Sequence, residues 1–86
     1  MPVVRIYTTP ICPYCVRAKS LLRKKNVPFE EIDVFMSPSA REEMESKANG
    51  KRTVPQIFVG DVHVGGCDEL YTLERAGELD ALLKAT

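Results

Sequence analysis

Little in this chain points to a partner recognised by bulk charge or bulk hydrophobicity. Twelve Lys and Arg residues balance twelve Asp and Glu residues, so no net field pulls it toward nucleic acid or an anionic membrane surface. No apolar run approaches the roughly 20 residues that a membrane-spanning helix needs. The N-terminus lacks the basic segment and long apolar stretch of a secretory signal. Cysteines number only three, and two of them share one CxxC, which is not the framework of a disulfide-stapled secreted domain. Repeats, low-complexity tracts and linkers are absent as well. With 86 residues, the sequence reads as one domain, 1–86, whose modest core suffices for folding alone. A reducing compartment fits this cysteine usage, and a cytoplasmic monomer is expected, without nucleic-acid or membrane partners.

What is present is an alternation of strand and helix patterns. Val3 to Thr8 is almost continuously apolar, the mark of a strand buried at the centre of a sheet. Cys15 to Asn26 reads as a helix. Ala18, Leu21, Leu22 and Lys25 recur at helical spacing, and Arg17, Lys19, Arg23 and Lys24 supply an outer face. Val27-Pro28 ends it, and Phe29 to Val34 follows as a second strand. Ser37-Pro38 predicts a helix start, a capping hydroxyl before a proline at the first helical position. That helix should run to about Asn49, with Gly50 as its stop. Pro55 to Val59 and Val62 to Val64 read as strands joined by Gly60-Asp61, a two-residue hairpin turn of the primed type. Gly65-Gly66 breaks the chain. A helix from about Asp68 to Ala76 is stopped by Gly77, and Leu79, Leu82 and Leu83 belong to a short last helix. The order βαβαββαα is that of an α/β domain.

Three segments carry chemistry. In Cys12-Pro13-Tyr14-Cys15 two thiols sit at a strand-to-helix turn. The first lies at the helix mouth, where partial positive charge and unpaired N–H groups stabilise a thiolate. Cys12 is therefore expected to be the exposed nucleophile and Cys15 the buried thiol that resolves its mixed disulfides. The competing reading is half of a zinc site, completed by His63 and Cys67. Structural zinc sites usually pair two short-spaced knuckles, and here the second half is interrupted by Gly65-Gly66. The second segment is Thr53-Val54-Pro55-Gln56-Ile57-Phe58, in which Pro55 opens a strand that it cannot help to pair. A trans bond is the default there. A cis bond beside Cys12 would turn the Val54 backbone outward, toward an extended thiol peptide. The third is Gly65-Gly66-Cys67-Asp68-Glu69. Asp68 reads either as an N-cap or as a carboxylate facing an ammonium group beside an anion pocket at a helix start.

Taken together, from Ile6-Tyr7-Thr8 through these three segments to Gly77-Glu78-Leu79, the chain resembles the glutaredoxins of the small bacterial dithiol type. The resemblance implies a thioredoxin-like fold, a four-stranded mixed sheet flanked by helices. It implies a glutathione-dependent thiol–disulfide oxidoreductase acting on protein–glutathione mixed disulfides and protein disulfides, with Cys12 as nucleophile and Cys15 as resolving thiol. Glutathione would be a co-substrate, with no permanently bound cofactor and no metal. Its groove would be lined by Tyr14, Thr53, Val54, Pro55, Cys67 and Asp68, with a cis bond before Pro55. Ribonucleotide reductase is a family-level candidate among protein substrates. Cys67 is expected at the groove edge, dispensable for chemistry and open to slow oxidation or glutathionylation.

The chain departs from the family pattern at Thr9, where many members carry a lysine that favours the thiolate and meets a glutathione carboxylate. Arg41, Lys51 and Arg52 are alternative cations for that contact, each with solvated surface charge as its simpler reading. Two rival functions share much of the pattern. One is a redoxin reduced by thioredoxin reductase. The other is an iron–sulfur or zinc carrier, which Pro13 disfavours because cluster-binding relatives commonly have a small or flexible residue there.

Overall fold

The most apolar stretch of the sequence becomes an inner strand of the sheet. In the computed structural model, which describes residues 2–84, eight elements follow one another. They are β1 (Val4–Thr8), α1 (Pro13–Lys24), β2 (Glu30–Asp33), α2 (Pro38–Lys47), β3 (Gln56–Val59), β4 (Val62–Gly65), α3 (Cys67–Arg75) and α4 (Leu79–Lys84). The sheet order is β2-β1-β3-β4. β1 runs parallel to β2 and antiparallel to β3, and β3 pairs antiparallel with β4. This is the mixed four-stranded sheet with flanking helices that the resemblance implies. Among the described residues no helix is long and apolar enough to cross a membrane.

Alternation along the inner strands sorts the core into two layers. Val4, Ile6, Ile57 and Val59 face Ala18, Leu21 and Leu22 of α1, Leu70 of α3, and Leu79 and Leu83 of α4. Tyr7 and Phe58 face the other way and pack with Val34, Met44 and Ala48 on the α2 side. There the Tyr7 hydroxyl donates to the Glu43 carboxylate at 2.8 Å, tying α2 to the sheet. The thick layer thus carries α1 and α3, and both helices present their N-termini at the end of the sheet where the chemistry lies.

Several element ends differ from the sequence reading, each for a local reason. α1 begins at Pro13 rather than Cys15, because Cys12 itself is the N-cap. It ends at Lys24, and Asn26 takes a left-handed φ of 58°. Lys25, placed on the apolar face by its spacing, lies at the edge of that face. Its ammonium meets Glu74 at 2.8 Å and Asp80 at 2.9 Å, joining the end of α1 to α3 and α4. β2 is shorter than Phe29 to Val34, an edge strand of mostly exposed charged residues. α2 stops at Lys47, since Asn49 already turns left-handed (φ 57°) ahead of Gly50. Its start is as the sequence predicts: the Ser37 hydroxyl accepts the Ala40 N–H at 3.2 Å. The hairpin pairs Val59 with Val62 across Gly60-Asp61, and Gly60 supplies the positive φ, 58°, that a primed turn requires.

Candidate active site

Cys12 closes α1 through its own sulfur. The Cys15 N–H donates to Cys12 Sγ at 3.1 Å, and the Val16 N–H donates to the Cys12 carbonyl at 3.1 Å. One of the orphan donors of the first turn is thus aimed at the sulfur, where it stabilises negative charge on a thiolate. The fixed φ of Pro13 suits the first helical position, where its missing N–H costs nothing. Cys12 is less open than expected. Its relative exposure is 9%, against 1% for Cys15, because the Val54 carbonyl lies 3.9 Å from its sulfur and covers one side. The order of exposure between the two thiols is nevertheless the expected one. Burial first, and then the hydrogen-bonded Cys12 sulfur, push the Cys15 thiol above its ordinary range. No disulfide joins the two cysteines in this structure.

The Val54 carbonyl joins the thiols to the second segment. The Val54–Pro55 bond is cis, and Tyr14, Thr53, Val54, Pro55, Gly66, Cys67, Asp68 and Glu69 line a cleft of about 350 Å³. All six groove residues implied by the resemblance therefore border one hollow at the mouth of α1. A larger hollow, about 740 Å³, lies between β4, α3 and α4, lined by Val62, Val64, Leu73 and Leu82 among others, and holds none of the cysteines. Exposed apolar side chains rim the thiol end, with Ile11 at 94%, Tyr14 at 54% and Phe35 at 62%.

The third segment differs from its sequence reading in one respect. Asp68 is not the N-cap of α3. Gly66 holds that place, and Glu69 reaches back to accept the Gly66 N–H at 2.6 Å. The carboxylate lies over both glycines. A Cβ on Gly65, whose φ is +113°, would come within 2.9 Å of Glu69 Oε1, so glycine there serves both backbone and space. The Gly66-x-x-Glu69 spacing is that of a capping box, and it was the sequence signal for this contact. With Glu69 capping, Asp68 is left exposed at the second helical position, its carboxylate in no hydrogen bond or ion pair among the described residues. Negative charge there also suits the helix dipole. Cys67 is 4% exposed and packs in the thick core layer, and burial raises its thiol. It borders the cleft without offering the accessible thiol that was expected.

The alternative cations are placed unevenly. Arg41 donates to the Arg52 carbonyl at 3.2 Å, and Arg52 pairs with Glu45 at 3.4 Å. None of the three, Lys51 included, lines the cleft. His63, required by the zinc alternative, is bonded to Gln56 at 2.7 Å. No group of three or more His, Cys, Asp and Glu among the described residues is arranged to hold a metal ion.

The glutaredoxin family model matches residues 4–64. The chain belongs to the glutaredoxin family. A glutaredoxin of Pseudomonas aeruginosa is 60% identical over 85 residues, covering 99% of this chain and all of that one. The solution structure of a glutaredoxin from Brucella melitensis superposes with a TM-score of 0.85 at 57% identity, covering 98% of this chain and 90% of that one. A buckwheat glutaredoxin solved as a glutathione complex has a TM-score of 0.84 at 27% identity, covering 95% of this chain and 76% of that one. The fold is thioredoxin-like, and as a member of this family the protein is a glutathione-dependent thiol–disulfide oxidoreductase.

Proposed function

We propose that Cys12 is the nucleophile, Cys15 the resolving thiol, and the cleft lined by Tyr14, Thr53, Val54, Pro55, Cys67 and Asp68 the glutathione groove. Cys12 thiolate attacks the glutathione sulfur of a protein–glutathione mixed disulfide. The S–S bond breaks, the protein leaves as a thiolate, and glutathione stays on Cys12. A second glutathione thiolate then attacks that disulfide, releasing oxidised glutathione and Cys12 thiolate. With a protein disulfide the first product joins Cys12 to the substrate. Cys15 loses its proton and attacks the Cys12 sulfur, the second protein thiolate departs, and a Cys12–Cys15 disulfide remains for two glutathiones to reduce.

The observation that carries this reading is the Cys12 sulfur itself. It is held by the Cys15 N–H at 3.1 Å and lies 3.9 Å from the carbonyl of Val54, a residue that also lines the cleft below Asp68. A glutathione lying along Val54 would bring its sulfur to Cys12 and its γ-glutamyl ammonium toward the unpaired Asp68 carboxylate. The Cys15 thiol, kept protonated by burial, does not compete for the first attack. The buckwheat complex supports glutathione as the ligand. We further propose that residues 1–86 act as one monomeric domain in the cytoplasm, with no resident cofactor, on glutathionylated and disulfide-bearing proteins, ribonucleotide reductase among the candidates. A glutathione-coupled assay on one glutathionylated peptide and one protein disulfide tests the scheme. Turnover of both, with a lower KM for the glutathionylated peptide, is expected; turnover sustained only by thioredoxin reductase would overturn it.

A further inference from the structure

Gln56 is the one amide side chain in the sheet's interior among the described residues, 1% exposed, and every polar atom of its side chain is engaged. Its Nε2 lies 3.0 Å from the Thr53 carbonyl and 3.1 Å from the Thr53 hydroxyl. Its Oε1 lies 2.7 Å from His63 Nε2. A backbone carbonyl only accepts, so the Gln56 atom facing it must be the NH2 group. That fixes Oε1 toward His63. Because Oε1 also only accepts, His63 Nε2 must carry the proton. The chain of donors thus has one direction, from His63 through Gln56 to Thr53. The Thr53 hydroxyl oxygen already receives a proton from Gln56, so its own O–H is left to donate elsewhere, and Thr53 is an exposed lining residue of the cleft.

We infer that His63, acting through Gln56, is a positioning residue for glutathione recognition, setting the Thr53 turn and making the Thr53 hydroxyl a donor toward a carbonyl or carboxylate oxygen of the ligand. This rests on the reading of the cleft as the glutathione groove. The relay is anchored at its far end. His63 pairs with Phe58 across β3 and β4 and stacks on its ring, with centroids 4.9 Å apart and planes 24° from parallel. Phe58 in turn meets Tyr7 edge to face at 5.6 Å. The imidazole is therefore held by the core while its Nε2–H reaches the amide. Without that donor, Oε1 is left unpaired in the interior. The amide is then no longer fixed in its orientation, and Thr53 loses the contacts that define its carbonyl and hydroxyl. With Thr9 in place of a cation, an oriented hydroxyl donor matters more to an anionic or carbonyl-bearing ligand.

The test compares a glutathionylated peptide, turned over with glutathione, against a protein disulfide reduced with dithiothreitol and no glutathione. His63→Leu should raise KM for the peptide about 3- to 10-fold, the range of one neutral hydrogen bond, with kcat and the glutathione-free reaction within about twofold. His63→Gln, whose amide can place a donor near the Nε2 position, should recover most of the loss. Thr53→Val should show the same KM defect, and the double variant His63→Leu/Thr53→Val should be no worse than Thr53→Val alone. Losses that add in the double variant, or that fall equally on both substrates, overturn the inference in favour of a packing role. Should His63→Leu fail to fold, the imidazole nitrogen NMR signals of the wild type still decide, an Nε2–H tautomer being expected and an Nδ1–H tautomer overturning the relay. A wild type with no preference for the glutathionylated peptide would bring down the groove assignment itself. A preference that survives unchanged in His63→Leu removes only the relay.

Discussion

Around the cysteine pair the protein's own groups are turned on one another, whereas the Thr53–Asp68 cleft keeps polar groups turned outward. Cys12 sulfur receives the Cys15 N–H, Cys15 is sealed at 1% exposure, and α1 behind them is fastened into the thick core layer by Ala18, Leu21 and Leu22. Across the Val54 carbonyl, Asp68 has no partner among the described residues, and the Thr53 hydroxyl has a proton left to give. On the proposed assignment of roles, the difference follows from what each half must do. Disulfide exchange needs one sulfur charged, a second held neutral until the first has reacted, and water kept from the second. Recognition of a zwitterionic peptide needs charges and dipoles that are not already satisfied within the protein. Cys15 is built like a core residue, and the cleft is built like a surface.

The sharpest way to break the comparison is at Cys12. Cys12→Ser should bring both reactions to background, since both begin with the same sulfur and a serine hydroxyl does not exchange with disulfides. Residual turnover of either substrate would show that the thiol half has a second nucleophile. Cys15→Ser should then separate the reactions. Deglutathionylation, which free glutathione can resolve, should stay within about twofold. Reduction of a protein disulfide should fall about tenfold or more, because the resolving step loses a thiol held at high effective concentration. An equal fall in both would mean that Cys15 shapes the Cys12 site as well as resolving its products.

On the recognition side, Asp68→Asn removes a charge without removing an internal contact. We expect kcat/KM for a glutathionylated peptide to drop about 10- to 100-fold, the range for a charge-assisted hydrogen bond. The melting temperature should fall by a few degrees at most, from the loss of one charge at the start of α3, and a glutathione-free disulfide should react as before. Glu69→Ala is the matching control one residue away. It removes the cap on Gly66 and should cost about 1 kcal/mol of stability, lowering the melting temperature by roughly 4–8 °C for a domain of this size. If Asp68→Asn instead produced the thermal loss, the two carboxylates would have exchanged roles.

The division also explains which parts of the molecule were legible in the sequence. The continuous apolar run of β1, the Ser37-Pro38 start and the Gly60-Asp61 turn are short-range signals, each confined to a few adjacent residues, and the structure keeps all three. The CxxC, Thr53-Val54-Pro55 and Gly65-Gly66-Cys67-Asp68 stretches were legible as motifs, and the fold brings them to one cleft. What escaped were contacts decided by side-chain reach. Glu69 won the cap from Asp68 because three residues is the distance over which a carboxylate can fold back on a helix start. The bounds of β2 and α2 were overrun because Phe29 and Val34 extend the apolar pattern to either side of the paired residues, and Ala48 continues the helical spacing after the backbone has left it. Gln56 reads from the sequence only as a strand position, and His63 as a strand position or a zinc ligand, with nothing to join the two. Their bond needs the register that places His63 opposite Phe58, and hence diagonal to Gln56 on the same face, including the irregularity between Ile57 and Phe58.

The smallest effect is predicted for Cys67, and it sharpens the contrast between thiols. From its place after two glycines at the groove edge it reads as a reserve thiol, available to oxidants. In the fold it is 4% exposed and belongs to the same apolar layer as Leu22 and Leu70. Burial is the largest influence on its thiol and raises it, and the nearby Arg17 only opposes that shift. A raised, buried thiol is a poor nucleophile at neutral pH. Alkylation of the native, reduced protein with iodoacetamide should therefore label Cys12 first, leaving Cys67 and Cys15 protected until the protein is denatured. Peptide mapping by mass spectrometry reads the three sites separately. Labelling of Cys67 at a rate near that of Cys12 would mean that the start of α3 opens in solution. The cleft would then carry a reactive sulfur of its own in addition to the Cys12 sulfur beside it, and would no longer be chemically silent.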